Sequence, residues 1–501
     1  MILFQEGKTM EYVLGADIGS GSVKLTLLSK DGRIAADAQC EYPTAYPDVG
    51  WCEQDPEDWC RAFQTALKDL LQKAKISPSQ IKAVAPDAAT HTAVLLDQNR
   101  KIIRPAILWT DQRSVEQVHK LRQEHLSLIR EQTLNAPTTI WTLPQLMWLQ
   151  ENEPDNWEKI RHILFAKDYL RQRLTGGGEE NITDHIDASG SMFYNVNEQT
   201  WSRELCKIGG INENWLPKVC QPTDLFGYVS ATAAEEFGLA PGTKVFVGTT
   251  DTAVELLAAG STEPGHTTVK LATAGRICVV SDRKLDSEYI FNYRYLEHGR
   301  WYPGTGTASC ANSYRWYRDT LGNAPYEELN RAAAQVPPGS QGLMFHPYLN
   351  GELTPYNDPN LRGSYIGISA AHTRAHFTRA TLEGVAFSLR ECLNTLRSLH
   401  VEMSRVRVIG GGAKGALWRQ IVADVLGLTL EKVQVDDSSF GSAMVASVGV
   451  GWYDGFSQAA EACVKVDSVC VPIPENKLVY DRLFERYKAV HDALAPIYDK
   501  G

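Results

Sequence analysis

Tyr12–Leu28 reads YVLGADIGSGSVKLTLL: an apolar run, a glycine and serine turn over Gly19–Ser22, then a second apolar and β-branched run. Two such runs joined by a short Gly/Ser turn predict a β-hairpin. Outward from it, the turn Lys30-Asp31-Gly32 leads into another strand. Pro56–Lys73 then sets Trp59, Phe63, Leu67, Leu70 and Leu71 at helical spacing. A strand meander followed by a helix predicts an α/β domain.

Farther along, Ala83–Ala85 is an apolar run, and a helix is predicted over Pro144–Glu153, with start signals at Thr142 and Pro144 and a stop at Pro154. The polar stretch Thr175–Asn197, with Gly176, Gly177 and Gly178, reads as a surface insertion that needs no function. Regular structure restarts at Lys244–Val247, and Thr267–Val280 (TTVKLATAGRICVV) again gives strand, glycine-containing turn, strand. Two hairpin-led α/β halves predict an internal duplication with the boundary near residue 246.

At 501 residues the chain exceeds what one core normally supports, so two domains are expected. No apolar run approaches the roughly 18 residues that span a bilayer, which disfavours a membrane protein. The net charge of -10 argues against nucleic acid as a partner, since phosphates demand surplus Lys and Arg. Ten cysteines occur without a C-x-x-C pair, and no secretory leader is read ahead of them, so reduced thiols and a cytoplasmic location are expected.

Three motifs carry chemistry. In Asp17-Ile18-Gly19-Ser20-Gly21-Ser22-Val23-Lys24, glycines allow close backbone approach, hydroxyls and amides donate to a phosphate, and the carboxylate can hold Mg²⁺ through water. The turn enters a strand and lacks G-x-x-x-x-G-K-[ST], which disfavours a P-loop or dinucleotide fold; an ordinary hairpin turn stays open as its meaning. Gly410-Gly411-Gly412-Ala413-Lys414 lies between the strand Val406–Ile409 and a helix marked by Leu417, Ile421 and Val425, a ready seat for an anion or nucleotide. Tight helix-on-strand packing is the alternative. Gly248-Thr249-Thr250-Asp251-Thr252-Ala253 places a carboxylate at the start of a helix, either as a cap or as the base that takes a proton from an attacking hydroxyl.

Gly363-Ser364-Tyr365-Ile366-Gly367-Ile368, followed seven residues later by His376-Phe377-Thr378-Arg379-Ala380-Thr381-Leu382-Glu383, resembles the second signature of the FGGY carbohydrate kinases. Gly50-Trp51 with Glu53-Gln54-Asp55-Pro56, Trp109 with Asp111-Gln112-Arg113, Thr354-Pro355 with Asn357-Asp358-Pro359, and GGGAKGALWRQIVADVLG at Gly410–Gly427 are similar to the xylulokinase branch of that family. The resemblance runs from Tyr12 to about Tyr453. It implies two actin-like (ribonuclease H-like) α/β ATPase domains flanking a catalytic cleft: an extension at 1–10, a sugar-side domain at 11–246, an ATP-side domain at 247–455, and a C-terminal helical segment at 456–501.

The implied cofactors are ATP and Mg²⁺, and the implied partner is a small sugar; a homodimer stays open. By residue, Asp17 would sit by Mg²⁺, Gly19, Ser20, Gly21, Ser22 and Lys24 by the phosphates, and Thr273 and Gly275 at a second phosphate turn. Gly411, Gly412, Ala413 and Lys414 would hold the adenosine, Asp251 would be the general base, and His91 with Thr90 and Thr252 would meet the sugar. Ala89 and Thr90 stand where xylulokinases carry Gln and Met, and Thr252 replaces a frequent Asn. The implied reaction is phosphorylation of a ketopentose such as D-xylulose, with another ketose or polyol, or a non-catalytic sensor on the same fold, as alternatives.

Overall fold

The computed structural model describes residues 10–178, 180–321 and 323–498. Most of the extension at 1–10 therefore lies outside the described residues. The chain forms two compact units. The first gathers Met1–Thr262, Tyr293–Arg300 and Val435–Val464; the second gathers Glu263–Asn292, Trp301–Gln434 and Lys465–Gly501.

The first unit is built on the strands β1 (Tyr12–Ile18), β2 (Ser22–Ser29), β3 (Ile34–Glu41), β4 (Ile81–Ala88), β5 (Leu225–Tyr228) and β6 (Lys244–Phe246). They lie in the order β5-β6-β4-β1-β2-β3, and the short strand Thr249–Thr250 also pairs with β4. β1 pairs antiparallel with β2 and parallel with β4. Every residue of β1 is buried, as in a strand covered on both faces, whereas β3 alternates toward solvent as an edge. The helix Pro56–Ala74 is capped by Asp55, whose side chain accepts the Glu57 N–H, and has Pro56 at its start. Its buried face sets Trp59, Phe63 and Leu67 into the core under β2 and β3.

The second unit repeats this plan with β7 (Thr267–Leu271), β8 (Gly275–Val279), β9 (Gly304–Thr307), β10 (Val406–Ile409), β11 (Leu430–Val433) and β12 (Val466–Cys470), in the order β9-β8-β7-β10-β11-β12. As in the first unit, a three-stranded antiparallel meander is followed by two parallel partners and an antiparallel edge. The expected duplication is thus present in the spatial order of six strands, although the antiparallel edge precedes its neighbour in the first unit and follows it in the second, and the first sheet adds Thr249–Thr250. The helix Arg374–Ser398 runs through its core, and the terminal helix Pro474–Tyr498 adds Tyr480, Phe484 and Tyr487 to it. In the Gly363–Glu383 signature, Arg379 donates to Glu383 at 2.8 Å, and Tyr480 donates to the same oxygen at 2.8 Å. That stretch joins the long helix to the terminal one.

Four expectations need correction. The helix expected over Pro144–Glu153 spans Thr142–Asn152, and Pro154 opens a short helix of its own. The boundary near 246 falls inside the first unit, because Thr249–Thr250 pairs with β4 and the helix Asp251–Ala258 packs against the helix Ser438–Gly449. The segment 456–501 is no appendage: the helix Phe456–Cys463 belongs to the first unit, and β12 and the terminal helix belong to the second. Thr175–Asn197 is not a surface insertion. It contains the strand Ile182–Asp184 and the helix His185–Gly190, and Thr183, Asp184, Asp187, Ser189 and Ser191 are buried, because their polar groups are satisfied by Lys167, Thr249 and local amides.

Candidate active site

The parallel register of β1 and β4 sets Asp17 beside Asp87. Both are buried, at 3% and 0% exposure. Lys24, opposite Asp17 on β2, holds its Nζ 3.6 Å from Asp17 Oδ2 and 2.9 Å from Asp437 Oδ2. Asp437 caps the helix Ser438–Gly449 by accepting the Ser439 N–H at 3.0 Å, and Ser442 on that helix donates to Asp87 Oδ2 at 2.5 Å. Burial pushes the Asp17 carboxyl up to about 7; Lys24 opposes the rise, and Asp437 and Asp251 add to it. Burial, with the charge of Asp17 next, holds Asp87 well above the usual carboxylate range.

Asp17 Oδ1 and Asp87 Oδ1 are buried without a donor from any other group, and the two carboxyls lie close enough to share a hydrogen bond when one is protonated. Two such oxygens fit a hydrated Mg²⁺, which takes one or two carboxylates and completes its shell with water and phosphate oxygens. Among the described residues no group of three or more His, Cys, Asp or Glu is arranged to enclose a metal. That donor set suits a cation that comes with phosphates. The turn after β1 stands open: Ser20 and Gly21 are exposed, and a Cβ on Gly21 would meet nothing within 4 Å. Ser20 is fixed by Gln54, which donates to its carbonyl at 2.8 Å, and the half-exposed Trp109 donates to its Oγ at 3.4 Å.

Asp251 enters this neighbourhood on the strand Thr249–Thr250, in parallel register with Asp87 and Ala88. It is the first helical residue, and the cap position belongs to Thr250, which makes no side-chain capping bond. Asp251 Oδ1 accepts from Thr252 N at 2.6 Å, Thr252 Oγ1 at 3.3 Å and Thr90 Oγ1 at 3.2 Å. One oxygen is therefore locked in place, and it serves a helix amide as a cap would. The other has no protein donor among the described residues.

His91 is buried and held at φ 73°, a left-handed conformation uncommon outside glycine and concentrated at functional sites. Its Nδ1 lies 2.5 Å from the Gly190 carbonyl, which can only accept, so Nδ1 carries the proton; Nε2 can then accept from Tyr293 Oη at 3.3 Å. Trp141 meets the ring edge-on at 4.7 Å. Sequence reasoning thus found Thr90, His91, Asp251 and Thr252 together. It missed Gly190, Tyr293 and Trp141, which hold the imidazole.

The second unit carries the remaining predicted residues. Gly410 has φ 90°, which glycine tolerates freely, and a Cβ there would lie 2.8 Å from the Leu271 carbonyl oxygen. A Cβ on Gly412 would come within 2.7 Å of the Trp418 ring. Packing therefore accounts for these two. Gly411 is exposed, with nothing within 4 Å of a Cβ, so no contact within the fold requires its small size.

The glycine run forms a 3-10 turn, Gly411–Lys414, ahead of the helix Ala416–Leu426, rather than opening that helix directly. Ala413 is buried and Lys414 exposed. Around the turn, Asn330 would be 3.6 Å from a Cβ on Gly415, and it accepts from Tyr314 Oη at 2.8 Å, two neighbours the sequence did not single out. Thr273 is exposed on the β7–β8 turn, and its carbonyl accepts the Cys310 N–H at 3.0 Å. Gly275 lies beneath that turn, where a Cβ would meet Thr307 at 2.7 Å; packing requires it.

Asp87, Asp437 and Ser442 were also missed, although each had a signal. Asp87 ends an apolar run, the usual place for site residues in an α/β sheet. Asp437 precedes Ser438-Ser439-Phe440-Gly441-Ser442-Ala443, a cap followed by small residues that predicts a helix in close contact with a neighbour.

Residues 12–258 match the family model of the FGGY carbohydrate kinases, N-terminal domain, and residues 273–450 match that of the C-terminal domain. A xylulose kinase of Bacillus subtilis (strain 168) is 32% identical over 487 residues, covering 96% of this chain and 97% of its own length. A gluconokinase of the same organism is 29% identical and covers 90% of each chain. The crystal structure of xylulose kinase from Rhodospirillum rubrum superposes with a TM-score of 0.90 at 28% identity, covering 98% of this chain and 100% of that one. With both family models matched in order, over residues 12–258 and 273–450, the chain belongs to the FGGY family of carbohydrate kinases.

Proposed function

We propose that the protein transfers the γ-phosphate of ATP to a hydroxyl of a small ketose, a ketopentose such as D-xylulose, with Asp251 as general base. The observation that carries this reading is the asymmetry of the Asp251 carboxylate: three donors fix one oxygen, and the other is left without a protein donor. A base needs an aimed lone pair that no neighbour occupies. Thr90 and Thr252 aim it, and the exposed indole of Trp109 offers an apolar face beside Ser20 for the carbons of a sugar.

Asp17 and Asp87 would hold Mg²⁺ through their Oδ1 oxygens. Bound with ATP, the ion supplies neutralisation of phosphate charge. The exposed residues Ser20 and Gly21 would line the phosphates together with Gly19 and Ser22; Lys24 would hold Asp17 and Asp437 in place. Thr273 would line a second phosphate turn, and Gly411, Gly412 and Lys414 would carry the adenosine. Ten cysteines, all free thiols, support the cytoplasm as its compartment.

The test is ADP release with acceptors offered singly: D-xylulose, other pentuloses, hexuloses, erythritol, glycerol and gluconate. Acceptor-dependent ADP with a pentulose is expected. Strong turnover of gluconate or glycerol with none of any pentulose would replace the proposed substrate, and no ADP with any acceptor would favour a sensor. A second measurement addresses the nucleotide. Gly411→Val adds bulk where the fold has room, so the variant should fold as the parent does. Calorimetry is expected to find ATP bound about tenfold more weakly, a change of about 1.4 kcal/mol, with acceptor binding unchanged. Parental ATP affinity would remove this segment from the nucleotide site.

A further inference from the structure

We infer that Asp184 is a positioning residue that aims Asp251 through Thr249; the inference rests on the reading of Asp251 as base. Asp184 is fully buried. Its Oδ2 accepts from Thr249 Oγ1 at 2.8 Å and from Ile186 N at 3.0 Å. Its Oδ1 lies 3.0 Å from Lys167 Nζ and accepts from Asp187 N at 3.4 Å. Lys167 is itself fully buried and also meets Asp168 at 2.8 Å and Asp187 at 2.6 Å. A carboxylate tied to four donors by a buried ammonium, a hydroxyl and two amides has little freedom to shift.

Two routes lead from it to the base. Thr249 stands two residues before Asp251 on the strand that pairs with β4, and Arg171 reinforces this route by donating to the Val247 carbonyl at 2.6 Å. The other route is the helix His185–Gly190, which Asp184 caps. At its far end the Gly190 carbonyl accepts from His91 Nδ1, and a Cβ on Gly190 would lie 2.8 Å from the Thr90 methyl. Thr90 in turn donates to Asp251. One buried carboxylate thus fixes both the strand that delivers the base and the hydroxyl that orients it. In a phosphoryl transfer, where positioning supplies much of the acceleration, a displacement of about 1 Å at the base costs on the order of 10²-fold.

The experiment is steady-state kinetics on Thr249→Val, Thr249→Ser, Asp251→Asn and the double variant Thr249→Val/Asp251→Asn, with the acceptor identified above and well below each unfolding midpoint. Valine keeps the branched shape and removes the hydroxyl; serine keeps the hydroxyl. The expected kcat of Thr249→Val is about tenfold below the parent, with the KM for ATP within about twofold, and Thr249→Ser recovers most of the loss. In the Asp251→Asn background, Thr249→Val should lower kcat no further, because the group it aims is already gone.

A parental kcat for Thr249→Val overturns the inference and leaves the base reading intact. So does a full tenfold loss in the Asp251→Asn background, an equal loss in the serine variant, or a rise in the KM for ATP alongside the fall in kcat, each of which signals general loosening. Near-parental turnover by Asp251→Asn alone overturns the base reading, and this inference with it.

Discussion

Asp251→Asn is expected to lower acceptor phosphorylation by about 10² to 10⁴-fold while ATP binding and the unfolding midpoint stay near those of the parent. Asparagine has nearly the same shape, and its carbonyl oxygen can still accept from Thr90 and from the Thr252 N–H. Losing the charge in the first helical turn costs about 0.3–1 kcal/mol against the helix dipole, too little to unfold the protein. What asparagine lacks is the basic second oxygen. The substitution therefore separates proton removal from the amide satisfaction that Asp251 also performs. Purified, folded variant that phosphorylates its acceptor within a few-fold of the parental rate would exclude Asp251 as base.

Lys167→Met is expected to destabilise the protein by about 3–5 kcal/mol, the usual result of removing one partner of a buried ion pair. Lys167 is fully buried, within 3.0 Å of Asp168, Asp184 and Asp187. Without it, three carboxylates share Arg171, which reaches Asp168 at 3.2 Å.

The loss should depend on pH with a definite sign. Burial already raises the Asp187 carboxyl to about 7, and Lys167 is the largest influence opposing that rise. A carboxyl whose folded value exceeds its unfolded one stabilises the fold at low pH and loses that contribution as pH rises through the folded value. Removing Lys167 pushes the folded value higher still. The deficit against the parent should therefore be smallest near pH 5 and grow as pH passes 7. Urea unfolding at several pH values measures it; a deficit below about 1 kcal/mol at neutral pH would mean that the cluster is worth no more than a surface pair.

Both hairpins, the helix Pro56–Ala74 and the duplicated sheet were legible in the sequence because each rests on local signals: apolar runs, glycine turns, and a capping Asp55 ahead of Pro56. Asp17, Thr90 and Asp251 could be named one by one, but Asp437 and Ser442 could not be joined to Asp17 and Asp87. They arrive from the far end of the chain, and spacing carries no trace of that contact.

The stretch 182–191 was misjudged for a related reason. Its Asp and Ser residues are polar, as surface residues are, and only the position of Lys167 in space makes them an interior. The glycines raise a different difficulty. Gly411 and Gly412 are identical in sequence, yet one faces open space and the other the Trp418 ring. What a missing side chain makes room for is a property of its neighbours.

The helix Ser438–Gly449 lies against β1, β2 and β4 so closely that a Cβ on Gly15 would sit 1.9 Å from the Ser439 carbonyl oxygen, and one on Gly441 would sit 2.0 Å from that of Val254. During translation, β1 and β2 leave the ribosome long before this helix, with the whole stretch from Ser29 to Ser438 made in between. A nascent chain that has passed Thr262 but not Gly449 therefore holds the first sheet with one apolar face bare. The N-terminal half cannot finish folding as an early, autonomous domain; its closure waits for the helix Ser438–Gly449. The exposed interval is one in which a chaperone has a surface to hold, and in which a premature stop leaves a sheet without its cover.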